Sequence, residues 1–214
     1  REEDVLRVPL PPAEHAFLDP DRRAGGRRSR DPDDFAPPRS EWARLLAPFA
    51  AAMVKLPPVA ARPGEEAGAE PPLEVVSLDG RARERRWRFG DWGPLPARRA
   101  LTLPSGAFVE GPGIPWPAPA RAREGDLLLD PDPAVTLAGL VGDLALPHGL
   151  RPVPPRIAYL LGRDPVPGAP GHAVRIEAVL PPRPREVDRW LAARRIGRLT
   201  IRTRGVADDA AAWR

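Results

Sequence analysis

Apolar and polar positions along this chain divide it into short ordered elements separated by proline. Ala16-Phe17-Leu18 is a brief apolar run closed by Asp19-Pro20, which predicts a strand of a parallel sheet with an acidic residue at its carboxyl end. Trp42, Leu45, Leu46 and Phe49 recur on one helical face, with Ser40 placed as the N-cap and Pro48 as the stop. Ala51–Leu56 predicts a second buried strand, ended by Pro57-Pro58. Strand, helix and strand in this order predict a βαβ unit. Open α/β sheets hold their ligands at the carboxyl ends of the strands, so Asp19 stands where chemistry is done.

The periodicity then changes. Leu73–Leu78 and Arg81–Phe89 flank Asp79-Gly80, a strong hairpin signal because both turn positions accept a positive φ. A further β-like stretch, Ala100–Val109, carries a turn at Pro104-Ser105-Gly106 and leads into a proline-rich link around 112–122. Beyond it Asp132 caps a predicted helix with Pro133 as its first residue and Leu137, Leu140, Val141 and Leu144 on one face. Arg156–Leu161, closed by Gly162, predicts a short strand or a helical turn, and Ala173–Leu180 alternates as a half-buried strand. Pro184 opens a helix bearing Val187, Trp190 and Leu191, stopped by Gly197. A last strand is expected with Leu199, Ile201 and Thr203 inward and Arg198, Arg202 and Arg204 outward. Two domains are therefore expected, residues 1–125 and 126–214.

Composition changes this picture in three respects. The 214 residues include 32 prolines and 19 glycines, but the prolines fall between apolar segments, so stiff connections are expected rather than disorder. Lys55 is the only lysine among 33 basic residues, an arginine bias of the kind a GC-rich genome imposes. The net charge is only +4, so a nucleic-acid surface has to come from local clustering such as Arg22, Arg23, Arg27, Arg28 and Arg30.

Several chemistries have no residues to carry them. The absence of cysteine excludes disulfides, thiolate metal sites and cysteine nucleophiles, and suits the cytoplasm. His15, His148 and His172 are scattered without metal-ligand spacing, so no metal is expected. No apolar run reaches the roughly 20 residues of a membrane span. Neither a nucleophile elbow nor a phosphate-binding glycine loop is present. Trp87, Phe89 and Trp92 at the hairpin's end are expected to pack rather than to stack on a base.

Several motifs, in order, carry a family resemblance over nearly the whole chain. Phe17-Leu18-Asp19-Pro20-Asp21-Arg22-Arg23, with Asp31-Pro32 and Phe35-Ala36-Pro37-Pro38 downstream, resembles the acidic fourth motif of bacterial class I S-adenosylmethionine-dependent methyltransferases with a C-terminal THUMP-like domain. Met53–Leu56 resembles their fifth strand and Val75–Gly80 their final hairpin. Asp130–Val135, Ile157–Gly162 and, most specifically, Arg195–Val206 also match. The resemblance implies an α/β fold: the C-terminal half of a Rossmann-like sheet, then a small α+β THUMP-like domain. It implies S-adenosyl-L-methionine as cofactor, with the glycine-rich loop and acidic ribose ligand expected before residue 1. It implies Asp19 and the carbonyl of Pro20 as the groups that orient a target amine, and RNA, tRNA or rRNA, as substrate. Arg22, Arg23, Arg198, Arg202 and Arg204 are the candidate RNA contacts. Amine-methylating relatives often carry Pro and an aromatic residue where this chain has Asp21 and Arg22, which leaves the acceptor open. The alternative is a non-catalytic RNA-binding or scaffold protein with a degenerate methyltransferase sheet.

Overall fold

A computed structural model describes residues 4–10, 12–60, 71–154 and 157–202. The described chain forms two compact units. The first comprises residues up to 115 together with 131–144 and 168–171. Its strands are β1 (His15–Leu18), β2 (Ala51–Leu56), β3 (Leu73–Leu78), β4 (Arg81–Gly90), β5 (Arg98–Leu103) and β6 (Phe108–Gly111), with α1 (Arg39–Leu46) between the first two. They build one sheet in the order β1-β2-β4-β3-β5-β6. β1 runs parallel to β2 in the register His15↔Ala51 to Leu18↔Val54, as the strand–helix–strand pattern predicts. β4 folds back antiparallel to both β2 and β3. β3 is parallel to β5, and β5 antiparallel to β6. Asp79 and Gly80, at φ 52° and 69°, form the turn with two left-handed residues that the Asp-Gly pair predicts.

One sheet face is closed by α1. Trp42, Leu45 and Leu46 are buried with Ala52, Val54, Leu56 and Trp87. The Trp42 ring meets Trp87 edge-on at 6.0 Å between centroids, and its indole N–H donates to the Pro37 carbonyl at 3.0 Å. The helix starts two residues earlier than Ser40 as N-cap would place it. Pro38 is the N-cap, without a side-chain bond, because the Pro-Pro pair holds the backbone extended until then.

Asp132 caps α2 (Pro133–Ala138), accepting from the Ala134 N–H at 2.8 Å. This helix packs on β3 and β5. The single helix expected here is in fact two. Gly139, at φ 74°, ends α2, and α3 (Val141–Ala145) follows. The break rotates the buried face: Ala134, Val135 and Ala138 turn inward with Leu140, Val141 and Leu144, while Leu137 is only half-buried.

The second unit holds residues 116–130, 145–167 and the chain from 172 onward. Its strands β7 (Leu127–Pro131), β8 (Arg151–Val153), β9 (Ile157–Gly162) and β10 (Gly171–Arg175) form a sheet in the order β10-β7-β9-β8. α4 (Pro184–Ala193) follows. Three expectations for this region are corrected. The strand expected through Leu180 ends at Arg175. The left-handed residue after α4 is Arg195, at φ 55°, ahead of Gly197. No strand forms among the described residues 196–202, and Leu199 and Ile201 are 50% and 42% exposed. A period-two pattern states which residues would share a face; it does not supply a neighbouring strand to pair with. Thr203 and Arg204 lie outside the described residues.

Candidate functional site

The parallel register of β1 and β2 fixes the centre of the first unit's site. Leu18 stands opposite Val54, so the next pair along the two strands is Asp19 and Lys55. Lys55 Nζ lies 2.7 Å from Asp19 Oδ2, at the carboxyl ends of the two strands. Both side chains keep access to solvent, at 38% and 53% exposure. A pair so exposed contributes at most about 1 kcal/mol to folding. Its consequence is to orient one carboxylate oxygen and leave the other open.

The arginine-rich loop after Asp19 is built rather than slack. Pro20 is buried. Asp21 and Ala36 exchange two backbone hydrogen bonds of 2.9 Å. The Asp21 carboxylate accepts from the Arg23 N–H at 2.9 Å, and Arg22 and Arg23 accept through their carbonyls from Ser29 and Gly26. Ser29 Oγ donates to Asp34 at 2.7 Å and accepts from the Asp31 N–H at 3.0 Å. Asp31 in turn caps the single 3-10 turn Pro32–Asp34. The carboxylates of Asp21, Asp31 and Asp34 are thus engaged by backbone and hydroxyl donors. Among the described residues, none pairs with the guanidinium of Arg22, Arg23 or Arg28.

A cavity of about 480 Å³ opens at this strand end, lined by Asp19, Arg22, Arg23, Arg28, Lys55 and Arg83 among others. Arg83 comes from β4, whose Arg85 pairs with Leu56 at the end of β2. Five cations therefore face two carboxylates, Asp19 and Asp21. Such a lining suits an anionic, phosphate-bearing acceptor. It does not suit a cationic group such as a sulfonium.

The structure brings together Asp19, Pro20, Arg22 and Arg23 of the sequence-derived set. Arg28 belongs to the arginine cluster that the sequence offers as a nucleic-acid surface, whereas Lys55 and Arg83 lie outside the sequence-derived set; the parallel register was the signal that could have found Lys55. Arg198 is exposed on irregular chain. Arg202 is engaged with Asp130 at 2.8 Å, and Arg204 lies outside the described residues. The row of strand-spaced arginines expected there is absent from residues 198–202. Trp87 packs at 1% exposure. Trp92 donates to the carbonyls of Ala52 and Phe89 and lies 5.9 Å from the His15 ring, so both indoles serve packing. No group of three or more His or carboxylate side chains suited to a metal occurs among the described residues. No described helix is long and apolar enough to cross a membrane.

The model of the THUMP domain-like family matches residues 171–214. The chain is 35% identical over 204 residues to an uncharacterised S-adenosylmethionine-dependent methyltransferase of Mycobacterium tuberculosis, found alike in strains CDC 1551 and H37Rv. That match covers 92% of this chain and 54% of the relative, so the chain spans about half the length of the curated relatives it matches. A solved structure from Porphyromonas gingivalis W83, assigned as a methyltransferase, shares the fold. Its TM-score is 0.64 at 19% identity, covering 84% of this chain and 47% of that one. Over most of its length the chain is thus similar to about half of an S-adenosylmethionine-dependent methyltransferase, and its residues 171–214 match the THUMP domain-like family.

Proposed function

We propose that this chain is the acceptor-binding part of an S-adenosylmethionine-dependent methyltransferase that acts on RNA in the cytoplasm, on a base amine of tRNA or rRNA. The observation that carries the reading is the Asp19–Lys55 pair at two adjacent parallel strand ends, facing a cavity lined by arginines. S-adenosyl-L-methionine supplies the methyl group; the residues of this chain act on the acceptor. Arg22, Arg23, Arg28 and Arg83 hold phosphates around the target nucleotide. Asp19, with Lys55 on one oxygen, accepts a hydrogen bond from the amine with the other, and the Pro20 carbonyl accepts a second. This fixes the amine lone pair toward the incoming methyl, a contribution of positioning rather than of proton transfer. An arginine plane such as Arg22 can stack on the base where relatives place an aromatic ring.

The cationic lining also favours a second reading, an RNA-binding scaffold without activity. Nucleoside mass spectrometry of total RNA from cells with and without the gene separates the two. A methylated nucleoside lost in the deletion, and restored by wild type but not by Asp19→Ala, supports the enzyme. Identical nucleoside profiles support the scaffold.

A further inference from the structure

The second unit contains a larger concavity that none of the expected contacts occupies. Its volume is about 750 Å³, and Arg121, Arg123, His148, Arg151 and Arg163 line it. The ladder explains why these residues meet. β9 is antiparallel to both neighbours, with Leu127 opposite Gly162 and Arg151 opposite Leu161. The start of β7, the start of β8 and the end of β9 therefore share one end of the sheet. Arg163 follows β9, Arg151 opens β8, and Arg121 and Arg123 come from the segment leading into β7.

The charges at this end are arranged for an anion. Four arginines face two carboxylates, Asp126 and Asp164. Asp126 is engaged, since its carboxylate accepts from the Arg123 backbone N–H at 2.9 Å. Arg151 is held in place by the carbonyls of Ala118 and Pro119, at 3.0 and 3.2 Å. These bonds use two of its five N–H donors and cancel none of its charge. Among the described residues, no carboxylate pairs with the guanidinium of Arg121, Arg123 or Arg163. Arg121 and Arg123 are two residues apart, at most about 7 Å along the chain, so they offer neighbouring cations rather than one focus.

We infer that this cleft is a phosphate site that takes the backbone of a single-stranded polynucleotide. The inference rests on the reading of the protein as RNA-directed, and it places the RNA contact of the second unit here rather than along residues 198–204. The chemistry shared by free and polymeric phosphate is the same, so the test separates them.

The measurement is fluorescence anisotropy of a labelled 12-nucleotide RNA on the full-length protein, from 50 to 300 mM salt. Arg123→Gln with Arg163→Gln is compared with a charge-matched control, Arg44→Gln with Arg81→Gln, both pairs checked for unchanged circular dichroism. Two lost phosphate contacts should reduce the slope of log affinity against log salt by about 1.4, and weaken binding about tenfold at 0.15 M salt. The control should bind as wild type does. Equal loss in both pairs, or none in the cleft pair, overturns the site while leaving RNA binding in place. Wild-type protein that binds no RNA at any salt overturns the RNA reading and this site with it. Competition by a nucleoside monophosphate at constant ionic strength, abolished by the cleft pair, reassigns the cleft to free phosphates and overturns the polynucleotide occupant.

Discussion

Replacing Asp19 separates its place in the fold from its place in the reaction. The carboxylate is half exposed, and its partner Lys55 Nζ, 2.7 Å away, is itself more than a third exposed. Solvent screening limits such a pair to about 1 kcal/mol or less. For a domain of this size that corresponds to a fall in Tm of no more than about 4 °C. If Asp19 aligns the acceptor as proposed, its loss costs far more. A hundredfold fall in turnover is about 2.7 kcal/mol of transition-state stabilisation, within what positioning supplies. Asp19→Ala in the full-length enzyme should therefore lower single-turnover methyl transfer to RNA by about 10²-fold, with cofactor affinity and Tm nearly unchanged. Lys55→Met should fall between wild type and Asp19→Ala, because it frees the carboxylate without removing it. The assay is transfer of a labelled methyl group to RNA at saturating cofactor, beside a thermal melt of each variant. Turnover within threefold of wild type would falsify the role given to Asp19. So would a loss that merely follows a large fall in Tm.

Three further outcomes follow from the packing. Glu74 is buried at 3% exposure and bonds to Arg88 at 2.8 Å and Arg86 at 3.1 Å, so Glu74→Gln should destabilise by about 3 kcal/mol. Urea denaturation reads this, and a change below 1 kcal/mol contradicts it. Gly90 has φ 79°, and a Cβ there would overlap the Ala50 carbonyl oxygen; Gly90→Ala should yield protein that is largely insoluble or melts at least 10 °C lower, whereas Gly80→Ala, with open space around it, should cost only about 1 kcal/mol. Arg202→Gln should leave the salt dependence of RNA binding unchanged and raise amide exchange in the C-terminal segment, since its guanidinium is spent on Asp130; a slope lower by about 0.7 shows instead a phosphate contact.

Local chemistry was the part of the fold that the sequence made legible. The bounds of β2, the Asp79-Gly80 turn and the Asp132 cap follow from neighbouring residues alone, and the structure shows each of them. Long-range choices were hidden. Nothing in Arg81–Gly90 states that β4 enters between β2 and β3, because strand order depends on which faces remain uncovered after the chain returns. Leu199 and Ile201 have the alternation of a strand, yet among the described residues they pair with none, although β10 stands at the edge of its sheet. At the site, Asp19 was visible as an acidic strand end. Its partner was not, because Lys55 lies 36 residues away and only the parallel register brings it alongside.

In a chain whose basic residues are nearly all arginine, location separates structural cations from binding ones better than sequence clustering does. Arg86 and Arg88 close on buried Glu74, Arg202 closes on Asp130, and Arg194 lies 4.0 Å over the Trp190 ring; each has a partner that uses its charge within the fold. Arg22, Arg23 and Arg28 in the first unit, and Arg121, Arg123 and Arg163 in the second, line concavities and have no carboxylate partner among the described residues. In both places nearby aspartates that could neutralise them are turned to backbone donors instead, Asp21 to the Arg23 N–H and Asp126 to the Arg123 N–H. Local side-chain-to-backbone bonding of this kind shapes the loop and keeps the guanidinium free at the same time. Asp21 and Asp126 thus do more than reduce the net charge: by folding the loops that carry the arginines, they leave those charges for the phosphate-bearing ligand proposed above.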